Sequence, residues 1–350
     1  MLPAHLTGSL RLLMRWPFGS LIVLLAGFVS ELWISTAEAA PPRSSTPPSR
    51  LTVGGHEYQE AGAWARDHSL RLEWDGRSRK IAITKPGLNL EFAPHSRVFQ
   101  MNGVGVWLCS GVITNRGRAY LATVDLKSTL APLIVPARNK AGQKIRTVCL
   151  DPGHGGKQPG HVNGTREEKT YALLLAHRVR NLLQEAGLRV VMTRDADQTV
   201  ELEQRPAHAK YRRADLFVSL HYNATHSGSD TARGAEVYCL TPAGMPSTNA
   251  DDGNSTSTRA YPGNLHNSRS LLAAYQIQKA MTTQLKVTDR GVRRARFVVL
   301  RSAEMPAVLV EGGFMSDPED ARKIWNAAGR SEMARAITDG ILAYKRLVER

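Results

Sequence analysis

The sequence predicts an α/β fold: a mixed, mostly parallel six-stranded sheet with helices on both faces over residues 145–350, preceded by a small β-rich α+β domain over residues 51–138. Three observations carry this expectation. After residue 145, unbroken apolar runs of strand length recur, the mark of strands buried on both faces. Between most of them lie longer stretches with apolar residues at i, i+3, i+4 and i+7, the period of an amphipathic helix. Before residue 138 the pattern is instead period-two alternation broken by glycine turns. The 350 residues are 42% hydrophobic, enough apolar mass for sizeable cores.

Taken in order, the chain opens with a leader. Arg11 and Arg15 precede an uncharged apolar stretch, Trp16 to Ser30, and Ala37-Glu38-Ala39 follows as a small-x-small exit. That stretch is shorter than the roughly 20 residues a membrane-spanning helix needs. Residues 1–39 therefore read as a secretory signal peptide, with an uncleaved anchor as the alternative and membrane contact expected only there. The expected location is the cell envelope, periplasmic or secreted. "APPRSSTPPSR" (Ala40–Arg50) reads as an extended Pro/Ser linker. "YQEAGAWARDHSL" has helical spacing, and "LRLEWDGRSRKIAIT" alternates, turns and alternates again as a hairpin. "MNGVGVWLCSGVITNRGRAYLATVDLKSTLAPL" adds short strands and a closing helix. His56, His68 and His95 are scattered here and read as surface residues.

After the basic loop "NKAGQK", strands are expected at "RTVCLD", "LRVVMTR", "ADLFVSLH", "GAEVYCL", "ARFVVLR" and "PAVLVEGG". Helices are expected at about residues 168–186, 202–213, 268–285 and 332–348. The polar stretch Thr241 to Asn267 exceeds an ordinary connection. It reads either as a lid, mobile and near the mouth of a site, or as a disordered insertion. The chain carries a net charge of +15, unchanged by loss of the leader, which holds two arginines and two acids. Such a charge suits wall carboxylates, teichoic acids or lipopolysaccharide, against the alternative of an ordinary solvated surface. No nucleic-acid partner is expected of an exported chain. Cys109, Cys149 and Cys239 are odd in number and each sits in an apolar stretch, so buried free thiols are expected.

Three strand ends carry an ionisable residue directly after apolar ones: His154 after "VCLDPG", His221 after "LFVSL" and Glu311 after "AVLV". One such residue is ordinarily structural, but burying three unpaired would cost several kcal/mol each. Helix periodicity supplies a fourth. Glu168 shares a stripe with Tyr171, Ala172, Leu175, Val179 and Leu182, while Glu167 lies with Thr170, Leu174 and Arg178 on a more polar face. A first-turn acid also suits the helix dipole, so capping is the alternative for both. Two histidines and a carboxylate suit a zinc ion with an open fourth position. A further carboxylate beside them would handle protons. The expected set is His154, Glu168 and His221 as ligands with Glu311 as the base.

The ordered motifs "CLDPGHGGKQPG", "EK" opening a helix, "VVMTRDAD", "RRADLFVSLHYNA", "GAEVY" and "MPAVLVEGGFMSDPEDAR" resemble the zinc-dependent N-acetylmuramoyl-L-alanine amidases of the AmiA/AmiC type, over about residues 148–348. The resemblance implies zinc bound by His154, Glu168 and His221, catalysis by Glu311, peptidoglycan as substrate, and room for an activator protein. Residues 51–138 are similar to stalk or amine-oxidase N-terminal-like domains found beside wall enzymes. Gly312 stands where the family commonly has Thr, Tyr222 and Asn223 where small or acidic residues are frequent, and Lys210 where Asn is usual. The stretch 241–267 lacks the helical period of a blocking helix, so that mode of autoinhibition is not expected. The alternatives are a zinc carboxypeptidase or deacetylase acting on the same polymer, or a non-catalytic wall-binding scaffold. Arg194 and Arg205 read as ion-pairing residues beside the sheet or as binders of acids or substrate. His161, His177, His208, His226 and His266 read as surface residues.

Overall fold

Strong alternation gives the first half its strands. The computed structural model describes residues 49–75, 77, 79–225, 232–249 and 256–350. The expected signal peptide, and all but the end of the linker, lie outside the described residues. The hairpin β1 (Arg50–Val53) and β2 (His56–Glu60) leads into α1 (Ala61–Asp67). A meander follows: β3 (Arg71–Asp75), β4 (Lys80–Lys85), β5 (Leu88–Phe92), β6 (Val98–Met101) and β7 (Val104–Trp107). The hairpin β8 (Ile113–Asn115) and β9 (Arg118–Ala122) precedes α2 (Thr123–Asp125), a π-helical turn (Leu126–Leu130) and α3 (Ala131–Ile134). The first three residues of "YQEAGAWARDHSL", expected to be helical, instead end strand β2, because β9 supplies their ladder.

The second half begins with β10 (Thr147–Pro152), buried along its whole length as an unbroken apolar run should be. Then come the small hairpin β11 (Val162–Asn163) and β12 (Arg166–Glu167), α4 (Glu168–Glu185), β13 (Arg189–Met192), α5 (Gln204–Tyr211) and β14 (Leu216–Asn223). They are followed by β15 (Ala235–Leu240), a 3₁₀ turn (Pro262–His266), α6 (Asn267–Leu285), β16 (Asp289–Ala295), α7 (Val298–Arg301) and β17 (Ala307–Phe314). The chain closes with α8 (Pro318–Trp325) and α9 (Ala327–Val348). Helices α4, α6 and α9 pack on one face of the sheet, α5 and α7 on the other.

Six strands of this half stand in the order β13-β10-β14-β17-β15-β16, four of them parallel and the last two reversed. The mixed six-stranded sheet expected from the sequence is therefore present, and it continues beyond that number. β16 pairs with β7, and β6-β5-β4-β3 extend the sheet to eleven strands. The connection between α3 and β10 contains the boundary drawn at residues 138–145, yet the sheet is continuous across it. Gly105 N donates to the Asp289 carboxylate at 2.6 Å, Trp107 Nε1 to Arg290 O at 3.0 Å and the Tyr275 hydroxyl to Met101 O at 3.0 Å.

Two expectations fail here. "ARFVVLR" is not a strand: the fifth strand is the polar "DRGVRRA" before it, and Val298–Arg301 turns as a helix whose Val299 and Leu300 fill the core. The insert Thr241–Asn267 does not leave the sheet at the ligand end either. β15 runs antiparallel to β17, with Glu236 opposite Glu311 and Tyr238 opposite Leu309, so Leu240 points to the other end. The described flanks of the insert are also anchored. Thr248 N donates to Arg294 O at 2.9 Å, Asn264 Nδ2 to Thr241 O at 3.0 Å, and Met245 is buried.

Candidate metal centre

The loop after β10 explains its own composition. Proline and the strand end stop the ladder, and His154 then sits at φ +58°, in the left-handed region. That conformation costs a non-glycine residue roughly 1–3 kcal/mol and persists only where the surroundings over-determine it. Glycine is required on either side by close approach. A Cβ on Gly153 would stand 2.3 Å from the His221 ring, and one on Gly160 would stand 2.5 Å from Glu168 Oε2 and 2.7 Å from His154 Cδ2. Gly153, and Gly160 further along, thus clear the space in which one histidine meets side chains from two other elements.

Those elements are α4 and β14. Glu168 is the first residue of α4 and is buried at 4% exposure, while His221 stands on β14. His154 Nε2 lies 3.0 Å from Glu168 Oε2, and His221 Nδ1 lies 2.9 Å from Glu168 Oε1. The same carboxylate accepts from His161 N at 3.0 Å and Tyr222 N at 3.2 Å. The two imidazoles stand nearly perpendicular, 77° apart, with centroids 4.9 Å apart. One ligand atom from each of His154, Glu168 and His221 lies within 4.8 Å of the others. Burial alone would raise the Glu168 carboxyl, but the bonds from His154 and His221 outweigh it and hold the group well below the usual carboxylate range.

Glu311 stands beside this trio on β17, opposite His221 in the parallel register. Its Oε2 is buried without a hydrogen-bond partner. Burial, and then the negative charges of Glu168 and Glu236, push its carboxyl well above the ordinary range. The residues present fit a zinc ion: two imidazoles and a carboxylate are the donor set of an open zinc site. The Glu311 Oε2 atom beside them is buried and has no hydrogen-bond partner among the described residues.

Two cavities meet at His154, His221 and Glu311. One, about 530 Å³, is walled by Leu202, Phe297, Val298 and Leu309; the other, about 630 Å³, by Gly160, His161, Val162 and Asn223. All four sequence-predicted residues are therefore brought together. His161, read as a surface residue, lines a cavity at the site instead. Glu236 carried no assignment in the sequence, although it sits in the quoted "GAEVY". It is 1% exposed and bound by Arg290 and Arg293 at 2.9 and 2.8 Å, by Asn223 at 2.8 Å and by Tyr238 at 2.9 Å. His177 pairs with Asp195 at 2.9 Å, away from the trio, and His226 lies outside the described residues.

An α/β sheet thus brings two histidines from strand ends and a glutamate from a helix start into a group that could hold a metal ion, with Glu311 beside it. The chain belongs to the N-acetylmuramoyl-L-alanine amidase family, whose model matches residues 148–343. It is 35% identical over 224 residues to the uncharacterized protein YqiI of Bacillus subtilis, covering 64% of this chain and 95% of that one. It is 33% identical over 241 residues to the N-acetylmuramoyl-L-alanine amidase AmiC of Neisseria meningitidis (63% of this chain), spanning just over half of that protein, 57%. A solved structure, the amidase AmiC2 of Nostoc punctiforme, is similar at a TM-score of 0.48 and 32% identity, covering 59% of this chain and 99% of that one. Among the described residues no helix is long and apolar enough to cross a membrane.

Proposed function

We propose that this chain is a zinc-dependent, exported amidase that hydrolyses the bond between the lactyl group of N-acetylmuramic acid and L-alanine in peptidoglycan. The observation that carries this reading is the juxtaposition of the His154, Glu168, His221 trio with the unpartnered carboxyl of Glu311. His154, Glu168 and His221 would hold the ion. When bound, zinc supplies Lewis-acid polarisation of the amide carbonyl and lowers the pKa of water. Glu311 takes the proton of the attacking water as the new C–O bond forms. It then delivers that proton to the L-alanine nitrogen as the C–N bond breaks, so that the amine leaves neutral. Burial favours this role, because a carboxylate away from solvent holds a proton more strongly than one in water. The two cavities that meet at Glu311 support this reading, since a substrate cleaved there has a glycan on one side of the bond and a stem peptide on the other. The basic chain and its leader support action in the envelope, periplasmic or secreted.

Digestion of purified peptidoglycan with product identification by mass tests the reading. Free L-alanine amino termini on released stem peptides, together with about one zinc per chain, are the expected result. Release of terminal D-alanine would instead mark a carboxypeptidase, and release of acetate a deacetylase.

A further inference from the structure

Two arginines behind the metal loop are 1% exposed and spend their hydrogen bonds almost entirely on backbone carbonyls. Arg205 Nη1 donates to Pro152 O and to Asp151 Oδ1, both at 2.9 Å, and Nη2 donates to His154 O and Val200 O, both at 2.9 Å. Arg194 Nε donates to Pro152 O at 3.0 Å and Nη1 to Ala196 O at 3.1 Å. Its Nη2 bridges Gly153 O at 2.7 Å and Lys169 O at 2.8 Å. Lys169 follows Glu168 in the first turn of α4, so a single nitrogen ties the histidine loop to the helix that carries the carboxylate.

The third ligand is tied in through Asp151. Its Oδ2 accepts from Ser219 Oγ at 2.7 Å, two residues before His221 on β14, and its Oδ1 accepts from Thr193 Oγ1 at 2.6 Å. The network therefore reaches β10 and its loop, α4 and β14, the carriers of His154, Glu168 and His221. It is an expensive arrangement to keep: two buried guanidiniums meet on the Pro152 carbonyl while only Arg205 pairs with the Asp151 carboxylate, and unpaired buried charge is strongly disfavoured. Burial, and then the neighbouring Arg205, lower the Arg194 guanidinium to about 10, so Arg194 stays charged at neutral pH. A structural ion pair would need one arginine, not two. What two planar forks provide is a fixed spacing among several carbonyls at once, which a lysine point charge cannot reproduce.

We infer that Arg194 and Arg205, which meet on the Pro152 carbonyl, are positioning residues that preset the spacing of the three ligands, with Arg194 as the clamp between the His154 loop and α4 and Arg205 as the link to Asp151. The inference rests on the zinc-site reading above. Groups that orient metal ligands typically change affinity 10–100-fold when altered. Zinc affinity measured by competition with a chromophoric chelator should therefore weaken about 10–100-fold in Arg194→Lys and in Arg205→Lys. Cooperative thermal unfolding of the metal-free variants checks that the fold is kept. In Arg205→Ala, added guanidinium ion should restore part of the lost affinity, a rescue that a merely structural role does not give. Should these variants fail to fold, Thr193→Val and Ser219→Ala each delete one hydroxyl donor to Asp151 with little change in shape, and each should weaken zinc several-fold. Folded variants that bind zinc within about twofold of wild type would overturn the inference. His154→Ala and His221→Ala separate the two levels. If they too keep full affinity, the zinc-site reading itself is wrong; if they lose zinc while the arginine variants keep it, only the positioning role falls.

Discussion

Glu311 and the three residues beside it have different relations to an ion, and substitution separates them. Glu311→Gln preserves shape but cannot accept a proton, and general acid–base groups contribute about 10²–10⁴-fold. Turnover on peptidoglycan should fall by that order while metal analysis still finds about one zinc per chain; loss of zinc would make Glu311 a ligand instead. Gly153→Ala tests the loop by a different route. Its Cβ would stand 2.3 Å from the His221 ring, so the imidazole must shift, and zinc affinity should drop without any ligand having been removed. Unchanged affinity would show that the loop yields to accommodate a methyl group. His154, His221 and Glu311 were legible in the sequence because each follows an apolar strand, and Glu168 because it falls on the buried stripe of its helix. Asp151 and Glu236 were not, because their partners are distant: Asp151 meets Arg205 and Ser219, and Glu236 meets Arg290 and Arg293. A single sequence pattern carries no trace of such pairings.

At the scale of elements, periodicity located α4, α6 and most strands, and it failed where polarity was neutralised from elsewhere. β16 drew no strand expectation over most of its length because three arginines interrupt it. In the fold Arg290 and Arg293 grip Glu236 of the neighbouring strand, Arg293 lies over the Trp107 ring at 4.5 Å, and Arg294 is buried against Ser128 O and Thr129. Strand direction was equally hidden, since nothing local says that β15 reverses. The Glu236 ladder between β15 and β16 predicts a pH signature. Burial raises the Glu236 carboxyl, but Arg293 and Arg290 outweigh it, so its folded pKa lies below the ordinary value. A depressed acid pKa contributes stability above the unfolded value, and that contribution is lost as pH falls through the folded one. Glu236→Gln should therefore be less stable than wild type near neutral pH, on the order of 3 kcal/mol for a broken buried pair. The gap should narrow as the solution is acidified below the ordinary carboxylate range. Denaturant midpoints for both proteins across that range check it; a gap constant with pH would mean that Glu236 carries no linked charge.

At the scale of the whole molecule, chemistry and architecture have different boundaries. All four site residues lie after Lys144, which the sequence made plain, and a chain beginning near Gln143 keeps every strand and helix that carries them. The eleven-stranded sheet was not legible, because the alternating strands of the first half give no sign of which edge they join. That join is where the halves support one another. Val106 pairs with Val292, and the fully buried Arg294 donates to Ser128 O at 2.9 Å and to Thr129 Oγ1 at 3.1 Å, both from the π-helical turn before α3. Removing residues 1–142 strips two acceptors from a buried guanidinium and leaves β16 as an open edge. Buried charges left without partners cost several kcal/mol, and open edges invite pairing between chains. The shortened chain should still bind zinc and cleave soluble muropeptides, yet melt below the chain that retains residues 49–142 and associate at high concentration. For an assembly of this size about 1 kcal/mol shifts the melting temperature by roughly 2–4 °C. A drop on the order of ten degrees is expected for the loss of several such interactions. Calorimetry on both chains, with sedimentation to follow association, decides the point. Equal melting temperatures and a strictly monomeric short chain would mean that the shared sheet is a contact of convenience.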